Sequence, residues 1–219
     1  MTGFLNDLPT FYTAIWQTLV MVFAALVVSG ALGLGIGILL YATAPGRLLE
    51  NRAANVVTNV VVNIVRPVPF IIFIAAIAPL TVKVLGTYLF VQGAAFAISL
   101  AAAFAVSRIV EQNLVAVDPG VVEAARAMGA SPARIIFTVL IPEGLGPLIL
   151  GYTFVYVALV DMSAQAGAVG GGGLGDFAIQ YGLNRFNYPI IYITVAVIIV
   201  IVQLGQFFGN WLARRVMRR

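Results

Sequence analysis

The chain contains no cysteine and no histidine, and only 9% of its 219 residues are charged. Without cysteine there can be no disulfide, zinc thiolate or iron–sulfur cluster. Without histidine the commonest metal ligand and general base is gone. The sparse carboxylates that remain form no acid–base set, so the sequence predicts neither enzymatic chemistry nor a metal site. No Gly-Lys-Ser/Thr occurs either, so a phosphate-cradling P-loop is missing. Soluble domains carry about 25% charged residues. Here 62% of residues are apolar and the mean hydropathy is +1.05, which points to a membrane rather than water as solvent.

The formal charge of +4 could suit nucleic acid, but the basic residues are scattered between apolar runs. That arrangement fits loops beside a membrane, with lipid and not nucleic acid as the surrounding partner. The opening residues 1–14 hold no Lys or Arg, so no cleaved signal peptide is expected. They are read as a short N-terminal segment.

Five apolar runs follow, at about residues 15–41, 56–80, 88–110, 144–169 and 189–211. Each is long enough to span a bilayer, which takes about 20 residues. The second is interrupted by Arg66-Pro67 and Pro69. With the C-terminus inside, Arg47, Arg52, Arg108, Arg126, Arg134, Arg214, Arg215, Arg218 and Arg219 lie on the inner side. Only Lys83 and Arg185 lie outside. The positive-inside rule therefore predicts an all-α polytopic membrane protein with five transmembrane helices, its N-terminus outside and its C-terminus cytoplasmic. Residues 214–219 become a basic cytoplasmic tail, and the polar stretch 111–141 becomes a cytoplasmic loop.

The punctuation of that loop predicts two short helices. Asp118 caps the first, Pro119 opens it, and Gly129 stops it in a left-handed turn. Ser131 and Pro132 open the second, and Pro142 disfavours helical geometry at Ile141, ending it before the fourth span. Ala124, Ala125, Ala127 and Met128 give the first helix a smooth surface, either for docking in another protein's groove or merely for linking two spans.

Glu123-Ala124-Ala125, followed by Gly129 and then by Val139-Leu140-Ile141-Pro142, resembles the EAA loop of ABC importer permeases. Arg66-Pro67-Val68-Pro69-Phe70 resembles the family's second-span motif. The Ala168–Gly175 glycine run, Gln180-Tyr181-Gly182 and the arginine-ended last helix are most similar to methionine-type permeases. The resemblance implies type I ABC importer permease architecture over residues 15–213, at the bacterial inner membrane. It implies a second copy of the permease, two ABC ATPase subunits that bind ATP and Mg, an extracytoplasmic substrate-binding protein, and no cofactor in this chain itself. Glu123, Ala124, Ala125, Arg126, Ala127, Met128 and Gly129 would form the helix coupled to the ATPase, and methionine or a related amino acid would be the cargo.

Gly170-x-Gly172-x-x-Gly175 formally matches a dinucleotide fingerprint, but it follows an apolar span rather than a strand. A tight turn or close helix approach is the favoured reading. Gly33/Gly37 and Gly205/Gly209 have the spacing of helix-packing pairs. Arg66 and Asp161 are ionisable residues set well inside apolar runs, where a charge costs roughly 2.5–3.5 kcal/mol, so each should face a cavity or a partner. With Met162, Ser163 and Gln165 they are the candidates for lining the translocation path. Methionine-type permeases carry small or apolar residues around positions 161 and 165, so Asp161 and Gln165 depart from that pattern. Asp161 could meet a more polar or cationic substrate, pair with Arg66, or sit at an aqueous mouth. A proton-coupled secondary transporter using Asp161 is the alternative from another class.

Overall fold

The computed structural model describes residues 2–217, and side chains from residue 7 onward; Arg218 and Arg219 of the basic tail lie outside the described residues. The described residues contain no β-strand. Helix α1 (Thr2–Thr43) is 42 residues long, or about 60 Å at 1.5 Å per residue. It exceeds the first apolar run because residues 2–14, expected as a short N-terminal segment, are helical and continuous with it. The cause is tertiary, since Phe11 is buried and its ring lies 5.0 Å from that of Phe177.

The second apolar run is not one straight helix. It forms α2 (Arg52–Val65), α3 (Phe70–Ala76) and α4 (Ala78–Leu85). The α2 and α3 axes are bent by 107° across residues 66–69. Proline at 67 and 69 removes two backbone donors, and Pro69 adopts extended geometry at ψ 134° before α3 restarts. Among the described residues, four helices are long and apolar enough to cross a membrane, or five if the bent pair counts as one span.

Helix α5 (Phe90–Val115) packs along α1 at a glycine seam. A Cβ on Gly33 would come within 2.9 Å of the Ala103 carbonyl oxygen, and one on Gly37 within 2.6 Å of that of Ser107. Small residues thus let the two backbones meet. Helices α8 (Ile141–Ala166) and α10 (Tyr188–Met217) repeat the device, with Gly205 against the Tyr156 ring and Gly209 against Thr153. Tyr156 Oη also donates to the Ile201 carbonyl at 2.9 Å, while Tyr152 Oη donates to that of Gly30 at 2.7 Å, tying α8 to α10 and α1.

Between α5 and α8 lie α6 (Pro119–Ala127) and α7 (Pro132–Ile135). Contrary to the expectation from Pro142, α7 does not end before the fourth span. It continues through a π-helical turn, Ile136–Leu140, straight into α8, with Ile141 in right-handed geometry at φ −66° and ψ −47°. The π turn sends the Ile141 N–H to the Ile136 carbonyl, and Pro142 then falls at the opening of α8, where a missing N–H is tolerated. After α8 the chain reverses through glycines with positive φ at 170, 172 and 173. The short α9 (Gly173–Phe177) leads through a further π-helical stretch towards α10.

A candidate docking helix and a candidate translocation path

Helix α6 is closed at both ends by its own sequence. Asp118 accepts a hydrogen bond from the Gly120 N–H at 2.8 Å, and Pro119 occupies the first turn. At the other end Gly129 has φ +78°. The Ala130 N–H reaches the Ala125 carbonyl at 3.1 Å, and the Gly129 N–H that of Arg126 at 2.9 Å. These two bonds make a Schellman stop, which satisfies carbonyls that would otherwise lack partners. Ser131 caps α7 by accepting from the Arg134 N–H at 3.4 Å.

The helix has two faces. Val122 and Ala125 are buried against the rest of the chain, whereas Glu123, Ala124, Arg126, Ala127, Met128 and Gly129 are exposed. Met128 is 81% exposed. Ala125, expected on the docking surface, instead belongs to the seat of the helix. Helix periodicity separates it from Ala124 by about 100°. Arg47 lies in the connection beneath α6: its Nη1 donates to Tyr41 Oη at 3.1 Å, and its guanidinium sits 4.6 Å above that ring.

The candidates for the path are not all brought together. Asp161 and Gln165 share one face of α8, with Gln165 Nε2 donating to Asp161 Oδ2 at 2.8 Å. Asp161 is exposed beside exposed Phe154 on an otherwise apolar stripe. Ser163 points the other way: it is 2% exposed and its Oγ donates to the Val160 carbonyl. Met162 is half-buried against the core. Arg66 is exposed at the α2–α3 bend. Ion pairs among the described residues join Arg108 to Glu111 and Arg185 to Asp7, and none joins Arg66 to Asp161. An apolar cavity of about 520 Å³ lies between α3, α4 and the glycine turn, lined by Ile74, Ala78, Pro79, Val82, Tyr88 and Gly171 among others.

Two sets of residues escaped sequence reasoning. Gln17 and Thr18 of α1 cap α9, accepting from the N–H groups of Gly173 and Leu174 at 2.8 Å each. These partners are separated by 156 residues, and no local pattern announces them. The other set did carry a signal. Asparagine recurs every fourth residue at 51, 55, 59 and 63, and the last two receive hydrogen bonds from Arg108. Among the described residues, no group of three or more Asp, Glu, His or Cys could hold a metal ion.

Long apolar helices, a broken span and a capped helix exposed beyond them define a polytopic membrane protein. Residues 33–219 match the family of binding-protein-dependent transport system inner membrane components, and the chain belongs to that family. It is 45% identical over 207 residues to a probable D-methionine transport system permease protein from Vibrio cholerae, covering 94% of this chain and 92% of that one. It is 38% identical over 213 residues to a methionine import system permease protein from Bacillus subtilis, covering 97% and 96%. An inward-facing structure of the MetNI methionine ABC transporter matches with a TM-score of 0.94 at 36% identity, over 96% of this chain and 98% of that one. The chain is thus a bacterial inner-membrane permease subunit of an ABC transporter.

Proposed function

We propose that two copies of this chain form the translocation path of an importer for methionine or a closely related amino acid. Two ATPase subunits, which bind ATP and Mg, drive it from the cytoplasm, and an extracytoplasmic binding protein delivers the cargo. The exposed face of α6 carries the reading: a helix closed by its own caps presents Ala124, Ala127 and Met128 away from the bundle. Such a face is suited to a groove in a soluble partner. ATP then acts by binding one conformation of the assembly better than the other, which switches the cavity between sides. The apolar cavity beside α3 and α4 suits an unbranched, thioether-bearing side chain.

On this reading the N-terminus is outside and α6 is cytoplasmic. A reporter active only in the periplasm should be silent when fused after Gly129 and active after Phe186. The decisive measurement is uptake by cells making the permease and binding protein with and without the ATPase. Uptake should require the ATPase, and uptake sustained by a proton gradient alone would overturn this reading. A second reading of the cargo rests on the exposed Asp161–Gln165 pair, which favours a more polar or cationic amino acid. Competition by a series of amino acids distinguishes the two.

A further inference from the structure

Helix α2 is joined to the bundle by polar bonds. Its valines at 56, 57, 60 and 61 are exposed, and Val62 is its buried residue. Asn55 and Asn59 are half-buried between α2 and its neighbours, while Asn63 is exposed at the edge of the same face. Asn55 Nδ2 donates to the Leu40 carbonyl at 3.0 Å and to Thr43 Oγ1 at 3.3 Å, both on α1. Asn59 Nδ2 donates to Asn55 Oδ1 at 3.0 Å. From α5, Arg108 Nη2 donates to Asn59 Oδ1 at 2.7 Å and to Asn63 Oδ1 at 2.8 Å. Its Nη1 donates to Glu111 Oε2 at 2.6 Å, and the Arg108 and Glu111 side chains are only 13% and 17% exposed. A charged group on a membrane-spanning helix persists where such partners hold it.

The position of this network in the chain gives it mechanical meaning. Beyond Glu111, α5 runs directly to Asp118, the cap of α6. Beyond Asn63, α2 reaches the 107° bend, after which α3 and α4 line the apolar cavity. We infer that Arg108 is a positioning residue that transmits movement of α6 and α5 to α2 and the cavity-lining helices. This rests on the permease reading, in which α6 seats in an ATPase. Guanidinium geometry suits the task, because one planar fork holds Glu111 on its own helix and two amides on the other.

The test uses the complete complex of permease, ATPase and binding protein in proteoliposomes, with uptake and ATP hydrolysis measured together. Asn59→Val/Asn63→Val frees α2 from Arg108 while keeping the Arg108–Glu111 pair and the Asn55 bonds to α1. Arg108→Gln/Glu111→Gln removes both charges, so neither is left alone. Both double variants should assemble, yet uptake per ATP hydrolysed should fall about tenfold, within the range by which residues between coupled sites change coupling. Arg108→Lys should fall between them and the wild type, because an ammonium lacks the fork. Wild-type uptake per ATP in both double variants would overturn the inference. So would a parallel loss of uptake, hydrolysis and assembly, the signature of a simple brace. If the wild-type complex itself showed no ATP-dependent uptake, the permease reading would have failed first.

Discussion

The α1–α5 seam and the arm formed by α2 belong to one bundle but are held by different forces. At the seam, glycine brings backbone against backbone, and Ala94, Ala97, Ile98 and Val106 of α5 are at most 1% exposed. The arm offers one buried residue in α2 and is attached through amides and a guanidinium. Lipid is as apolar as valine, so no hydrophobic force presses the arm inward. Close packing must do so at the seam, and hydrogen bonds on the arm. Packing of the first kind resists small displacements everywhere along it. A few directional bonds instead fix the arm at particular points, which suits the transmission inferred for Arg108.

The comparison is broken most directly at Gly37. Gly37→Leu places side-chain atoms where even a Cβ would lie 2.6 Å from the Ser107 carbonyl oxygen. Overpacking of this kind costs about 1–3 kcal/mol and occasionally more. Membrane yield and melting temperature should both fall. Equal behaviour of Gly37→Leu and Val61→Leu, on the exposed face of the arm, would show that the seam is no tighter than the arm.

The next effect separates seat from surface on α6. Ala125→Asp puts a charge on the buried face and should lower stability and ATPase co-purification together, because an unpaired charge there lacks a partner. Ala124→Asp, one residue earlier and exposed, should leave melting unchanged and reduce only co-purification and uptake. The opposite ranking would place the docking face on the other side of the helix. On the arm, Asn55→Ala removes two hydrogen bonds to α1. Polar contacts between membrane helices average about 0.6 kcal/mol, so melting should shift only slightly. A loss as large as that of Gly37→Leu would erase the distinction between the two regions.

Much of this was legible where the chemistry is local. Asp118, Gly129 and Ser131 cap the helices they were expected to cap, since a cap is decided within a few residues. The Gly33/Gly37 and Gly205/Gly209 spacings also serve the packing they suggested. What failed depended on distance or phase. The early start of α1 follows from Phe11 meeting Phe177, and Pro142 is accommodated by a π turn that its own neighbourhood does not disclose. The inward direction of Ala125 could not be known before the bundle against which α6 turns. Ser163 was separated from Asp161 for the same reason, because neighbours on a helix face different ways.

The smallest expected change in stability is at Asp161, and it is informative because function should respond where folding does not. With no intrachain ion pair to Arg66, Asp161→Asn removes a charge without stranding a cation. Asparagine keeps an oxygen that can accept from Gln165 Nε2, as Asp161 does now at 2.8 Å. Stability should therefore stay within about 0.5 kcal/mol, as for substitutions that break no buried interaction. If the exposed pair borders the path, uptake of cationic or polar amino acids should weaken relative to methionine. The binding protein's own affinities are measured separately, so that its selectivity is not mistaken for the permease's. A matching Gln165→Met change should act in the same direction, since it removes the amide that orients the carboxylate. A large fall in melting temperature would mean that Asp161 is held by a cation from the second copy. Unchanged stability with an unchanged cargo profile would remove the pair from the path and favour methionine as read from the apolar cavity alone.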